Sequence, residues 1–343
     1  MPGDEKEITI YDIANKLNIS AATVSRALND HPRVSKKTKK LVVKTAADMG
    51  YRSNSFASSL RTKNSNIIGL IVPRLNSNFM ADAIAGIEKG LSNNHYNLII
   101  SQSLETMKKE INNANAMLVN RVDGLLVSLA YDTNNIDHFE PFIKRNIPVI
   151  FFDRVFEHDK CPQIYIDNFK AAYEITTHLI KQGCKRIVHI TANQLRKVYA
   201  ERYEGYKKAL EDNNIWFDQD LVIINDLSST AGIASAEQIL RMTMLPDGVF
   251  SANDNCAISC MQTLKKQGIQ IPADIAFAGF NNDPSACVIE PNLTTVNYKG
   301  YEMGEVAAKL MIDQLINKNE LRHAHSLVLR SEMIVRDSSL RIK

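Results

Sequence analysis

Apolar residues recur at two different periods along this chain of 343 residues. In residues 8–51 the spacing is three and four. Ile10, Ile13, Ala14 and Leu17 share one face of a first helix, and Val24, Ala27 and Leu28 share one face of a second. Leu41, Val42, Ala46 and Met49 do the same for a third. The punctuation agrees. Thr9 and Asp12 have capping-box spacing, Asn18 tolerates the left-handed backbone that stops a helix, and Ser20 can accept from the N–H of Ala22 or Thr23. Ser35 and Thr38 start the third helix and Gly50 ends it.

From residue 66 the texture changes to short apolar runs. They are NIIGLIVP (66–73), NLIIS (97–101), DGLLVSL (123–129), IPVIFFD (147–153), RIVHIT (186–191), LVIIN (221–225), DGVFSA (247–252) and DIAFAGF (274–280), with helical patterns between most of them. Continuous apolar strands alternating with helices predict parallel sheets buried on both faces. Eight such strands over about 270 residues fit two doubly wound subdomains better than one. The first break is expected near Tyr165–Asn168. The late segments LTTVNY (293–298) and SLVLRSEMIVR (326–336) predict that the chain crosses back more than once. Ligands in such folds bind beyond the carboxyl ends of the strands, here between the subdomains.

The first two helices have the look of a helix–turn–helix reader of DNA. The second leaves Ala21, Ala22, Ser25, Arg26 and Asn29 outward. Small residues at its start let it sink into a major groove, where Arg26 can grip guanine with two hydrogen bonds. Lys36, Lys37, Lys39 and Lys40 crowd the start of the third helix, the wrong end for the helix dipole. Phosphate contact gives them a use; a solvated charged face is the alternative. Charge by region supports the first. Residues 1–63 carry 12 Lys and Arg against 6 Asp and Glu, a net +6, whereas the other 280 carry 29 against 32, a net −3. A basic head on a slightly acidic body meets a polyanion through the head alone.

Other classes lack their signatures. Cys161, Cys184, Cys256, Cys260 and Cys287 form no C-x-x-C pair and read as reduced, intracellular thiols. Neither Cys256 with Cys260 nor His323 with His325 makes a convincing metal site, so none is expected. MPGDEKE is no signal peptide, no apolar run approaches the ~18 residues of a membrane span, and no leucine-heptad tail follows the body. There is no glycine-rich phosphate loop and no G-x-S-x-G elbow. Polar equipment collects instead at strand ends: Asp153 and Arg154, Asp167 and Asn168, Arg196 and Arg202, Asn253 and Asp254, and Asn281, Asn282 and Asp283. Such groups suit a polyhydroxylated ligand; for Asp254 and Asp283, helix capping is an equal alternative.

Over nearly its full length the chain resembles bacterial transcription regulators of the lactose and galactose repressor family. The most specific match is TIYDIA…ISAATVSRALN…VS…T…GY within residues 9–51. NSFASSL (54–60), VDGLLV (122–127), FFDR (151–154), GYKKAL (205–210), FSAND (250–254), IPADIAFAGF (271–280) and LTTV (293–296) follow in order. The resemblance implies a body similar to periplasmic sugar-binding proteins, dimers, near-palindromic operators and a small effector. It assigns Thr9, Tyr11, Ser20, Thr23, Ser25, Asn29, Tyr51 and Asn54 to phosphate and positioning contacts, and Ala21, Ala22 and Arg26 to base reading; the basic Arg33 is counted with the DNA-binding residues. Residues 54–62, with Ala57 and Leu60, would be a hinge helix that orders on DNA, Leu60 serving as a minor-groove wedge. Effector positions fall on Phe79, Asp153, Asp167, Arg196, Arg202, Leu227, Asn253 and Asn281. Two depart from the family pattern: Asn76-Ser77-Asn78-Phe79 replaces Asn-Pro-Phe-Phe, and Asn281 replaces an aspartate.

The expectation is therefore a small all-α helix–turn–helix head (1–53), a hinge and linker (54–65), and an α/β body (66–343) of two doubly wound parallel-sheet subdomains. The first subdomain is drawn at about 66–166 and 297–325, the second at about 167–296 and 326–343. The expected function is a cytoplasmic, effector-controlled repressor that works as a homodimer on double-stranded DNA, without catalysis, cofactor or membrane contact. A free-standing solute-binding protein would need an export signal and no basic head. An enzyme would need a convergent acid–base set, which arginine does not supply at neutral pH. A regulator signalled by a partner protein is the remaining variant.

Overall fold

The computed structural model describes residues 8–51, 64–317 and 326–341. These fall into two compact units, one up to Ser65 and one from Asn66 onward. In the first unit, α1 (Ile10–Leu17), α2 (Ala21–Leu28) and α3 (Lys36–Asp48) enclose Ile13, Ala14, Val24, Ala27, Val42 and Ala46. Their ends are set by local chemistry. Asp12 Oδ2 accepts from the Thr9 N–H at 2.8 Å and the Thr9 hydroxyl at 2.6 Å. Asn18 stops α1 at φ 53°, and Ser20 Oγ accepts from Thr23 N–H at 3.1 Å to start α2. Leu41 departs from expectation: it is 52 % exposed, because the buried stripe of α3 runs through Val42, Thr45 and Ala46 and leaves Leu41 beside it.

The body has two separate parallel sheets. Its first lobe is built on β1 (Ile67–Val72), β2 (Asn97–Gln102), β3 (Gly124–Val127), β4 (Val149–Phe152), β5 (Gln163–Ile166) and a late strand, Ser326–Leu329, in the order late–β5–β4–β3–β1–β2. The second lobe holds β6 (Ile187–Thr191), β7 (Val222–Ile224), β8 (Gly248–Ser251) and β9 (Ala276–Ala278) in the order β7–β6–β8–β9. All eight apolar runs read from the sequence are strands. Every residue of β3, β4, β6, β8 and β9 is buried, as parallel sheets covered on both faces require.

A separate two-stranded antiparallel ribbon pairs β10 (Thr295–Asn297) with the final strand Glu332–Ile334, and Thr294, just before β10, bridges to Ala278 at the end of β9 in the second sheet. One assignment is corrected. Residues 326–343 were grouped with the second subdomain, but Ser326–Leu329 pairs parallel to β5 at the edge of the first sheet. That strand is largely exposed, so its apolar pattern did not specify which sheet it joins.

In the first lobe, α4 (Asn78–Ser92) packs against a long helix, Gly300–Ile316, by reciprocal glycine contacts. A Cβ on Gly86 would sit 2.2 Å from the Tyr301 carbonyl oxygen, and one on Gly304 would sit 2.1 Å from that of Ala83. This close packing fixes the start of α4, and with it Phe79, beside Tyr298 at the end of the ribbon.

Candidate functional site

The head presents one stripe of α2. Ala22, Arg26 and Asn29 are exposed at spacings of four and three, opposite the buried Val24 and Ala27. Thr9, Tyr11, Ser20 and Arg33 are exposed beside them in sequence. Ala21 differs from expectation: half-buried one turn before Val24, it packs against the head core. Thr23, Ser25 and Tyr51 are also half-buried, Tyr51 against the same core. Lys39 is committed internally. Its ammonium donates to Asp30 Oδ1 at 2.6 Å and to the Asp30 carbonyl at 2.8 Å, bracing the turn after α2. Lys36, Lys37, Lys40 and Lys44 remain exposed. Asn54, Ala57, Leu60, His323 and His325 lie outside the described residues.

In the body, a polar group gathers at the seam between the lobes. Asp153 follows the last residue of β4 in left-handed backbone, φ 58°, and its side chain is buried. Its Oδ1 accepts from the Tyr298 hydroxyl at 2.8 Å and its Oδ2 from the Ser128 hydroxyl at 3.2 Å. Burial pushes the Asp153 carboxyl above the usual carboxylate range, against the pull of Arg154 and these hydrogen bonds. The Tyr298 ring stacks on Phe79 at 4.1 Å between centroids and meets Phe280 edge-on at 6.4 Å.

From the second lobe, α5 (Lys197–Asp212) supplies Arg202. Its guanidinium lies 3.5 Å from the Phe280 ring centroid and donates to Asn168 Oδ1 at 2.9 Å and to the Ala252 carbonyl at 2.8 Å. Burial lowers its pKa from the ordinary arginine value. So Phe79, Asp153 and Arg202 converge around Tyr298.

Asp167 and Asn253 flank the group as helix caps. Asp167 accepts from Lys170 N–H at 2.8 Å, and Asn253 accepts from the N–H groups of Asn255 at 2.8 Å and Cys256 at 3.3 Å. Asn281 follows Phe280 at φ 118° and bridges to Asn297 of the ribbon. Leu227 belongs to the second lobe's apolar core. Arg196 is buried at the N-terminus of α5 and donates to the Thr133 carbonyl of the first lobe. Arg154 and Asn168 were among the strand-end polar groups without a specific effector role, and the site residues missing from the sequence reading are Phe280, Tyr298 and Ser128. Phe280 adjoins the predicted Asn281; Tyr298 carried no strand-end signal.

Asp254 sits beneath this group and is wholly buried. Its Oδ1 accepts from the Thr295 hydroxyl at 2.6 Å and its Oδ2 from Asp283 N–H at 2.8 Å. Gly279 makes room for it, since a Cβ there would lie 2.1 Å from Oδ1. Burial pushes the Asp254 carboxyl from 3.8 up to about 7. The folded state therefore holds this proton more tightly than the unfolded chain. Its contribution to stability is present below the unfolded value and is lost as pH rises from about 4 to about 7. Asp254→Asn mimics the protonated group and should become progressively more stable than the parent across that window, by on the order of 4 kcal/mol at the plateau. Urea unfolding at pH 5 and pH 8 checks this; a difference that does not change with pH contradicts it.

Comparison with known proteins follows this division. Residues 9–54 match the profile of bacterial regulatory proteins, lacI family, and residues 176–339 that of a periplasmic binding protein-like domain. The chain is 30 % identical over 305 residues to catabolite control protein A of Priestia megaterium, covering 89 % of this chain and 91 % of that one. Its fold is similar to the lac repressor dimer bound to operator and an anti-inducer, with a TM-score of 0.85 at 23 % identity over 98 % of this chain and 100 % of the other. It is also similar to a regulator from Enterococcus faecium solved with bound ribose, with a TM-score of 0.72 at 24 % identity over 81 % and 100 % of the two chains.

Proposed function

Since the chain belongs to the lacI family of bacterial regulatory proteins, we propose that it represses transcription as a homodimer on a near-palindromic operator, under the control of a sugar or sugar-like effector held between the two lobes of the body. The observation that carries the effector half is the convergence of Phe79 and Asp153 from one lobe with Arg202 from the other around Tyr298. A carboxylate, a guanidinium and aromatic faces suit a polyhydroxylated ring: the charged groups grip hydroxyls, and the apolar ring face lies on an aromatic. Asn281 can donate as well as accept where the family pattern has a carboxylate, so it takes a different oxygen pattern from the commonest sugars.

The DNA half rests on the exposed stripe Ala22, Arg26 and Asn29 and on the exposed lysines of α3, Lys36, Lys37, Lys40 and Lys44. The site works by binding and carries out no catalysis, and a repressor of this kind acts in the cytoplasm. Among the described residues no helix is long and apolar enough to cross a membrane.

Calorimetry with D-ribose, followed by a panel of pentoses, hexoses, disaccharides and nucleosides, tests the effector half. One compound should bind once per chain with a heat that Arg202→Ala abolishes. Silence across the whole panel, with a protein that still binds DNA, would point to a signal that is not a sugar.

A further inference from the structure

The two lobes are fastened to each other at the rim by the chain itself. The loop after β3 reaches across from the first lobe. Its Tyr131 hydroxyl accepts from Asn193 N–H of the second lobe at 2.7 Å, and its ring packs against the second lobe's apolar core. Two residues on, the buried Thr133 carbonyl accepts from the guanidinium of Arg196. Arg196 is 6 % exposed although it stands at a helix start facing the seam, and its Nε has no hydrogen-bond partner among the described residues.

The loop that makes these contacts is itself pinned from beneath. Glu110, wholly buried, accepts from Ala130 N–H at 2.6 Å and from the Thr133 hydroxyl at 2.9 Å, and pairs with His138 at 2.9 Å. Glu105 accepts from Tyr131 N–H at 3.1 Å and from Arg154 at 2.6 Å. Burial lowers the pKa of Arg196, as does the nearby Arg154, while Glu110, Asp132 and Glu105 oppose them.

We propose that Tyr131 and Arg196 are positioning residues that form a latch, holding the lobes together without any bound molecule and setting how far the effector cleft opens. A bond from a buried cation to an opposite-lobe carbonyl, beside an aromatic seated in the opposite core, is lost whenever the lobes part. Both contacts therefore favour the closed state and contribute nothing to the open one. That differential is what moves a two-state equilibrium. The orphan Nε gives the latch a limit: a buried donor left unmade costs free energy, so the closed state is held but not locked. The latch concerns the effector-free protein, and its test needs no effector. Its failure is thus separable from failure of the proposed function.

The test is a distance between nitroxide labels on exposed Asn115→Cys in the first lobe and Glu237→Cys in the second, in a Cys287→Ser background; the other four cysteines are buried. Labelled chain is diluted with unlabelled chain so that one chain's own pair is read. The parent should give a single short distance. Tyr131→Phe, which keeps the ring, and Arg196→Gln should each add a longer distance, and together they should raise it above about a tenth of molecules. An unchanged distribution in both single variants overturns the latch. If the double variant fails to fold, the single Tyr131→Phe variant decides.

Discussion

Arg202→Ala should abolish the effector response while leaving effector-free operator affinity within about twofold of the parent. The guanidinium is buried, is held by Asn168 and Ala252, and lies against Phe280. A ligand hydroxyl that it grips is therefore held by a rigid, desolvated cation. Losing a hydrogen bond to a charged group in such a setting costs about 2–5 kcal/mol, or roughly thirtyfold to several thousandfold in affinity. The substitution also orphans Asn168 Oδ1 and the Ala252 carbonyl, so the body should lose about 1–3 kcal/mol of stability yet remain folded. Arg202→Lys keeps the charge but not the two-point grip and should be nearly as unresponsive. Effector titrations of operator affinity by fluorescence anisotropy check both variants. A response at the parent's effector concentration in Arg202→Ala contradicts the assignment.

The second large effect is at Arg26. It stands in the exposed stripe of α2 with Ala22 and Asn29, and the small side chains around it leave it as the residue best able to reach a base edge. Arg26→Ala should cost about 1–3 kcal/mol per half-site and relax preference at one base pair there. Loss of an exposed lysine such as Lys40 should instead weaken binding evenly across sequences and flatten its salt dependence. The discriminating measurement is the set of sequences each variant selects from a random pool. A variant Arg26→Ala that selects the parent motif, merely more weakly, demotes Arg26 to a phosphate contact.

How much of this was legible in the sequence depended on how local the signal was. The head could be read because caps and helix stops work within four residues: Thr9 with Asp12, Ser20 with Thr23, Asn18 on itself. Where the reading needed the third helix's neighbours, it erred. Leu41 looked apolar and is exposed, whereas Ala21 looked outward and packs inward. The strands could be read because a buried parallel strand is apolar on both faces. Which sheet the strand Ser326–Leu329 joins could not, since an exposed edge strand pairs through its backbone.

At the seam, the strand-end carboxylates and arginines announced themselves. Tyr298 did not, because its partner Asp153 lies 145 residues earlier in the chain. Arg196 could be placed on a strand-end loop but not paired with Thr133 across the seam, a contact of 63 residues' separation. The sequence motifs carry the class of mechanism; only the structure says which polar groups are already satisfied by one another.

The central claim is that one chain reads DNA at its head and is governed through its body. The most direct measurement is operator affinity of the intact protein with and without a bound sugar, on the DNA sequence it selects for itself. The selected sequence should be a near-palindrome. The sugar that binds by calorimetry should change operator affinity by at least about tenfold, a coupling of about 1.4 kcal/mol. Selection of no common sequence, or a sugar that binds tightly yet leaves operator affinity untouched, would contradict the account.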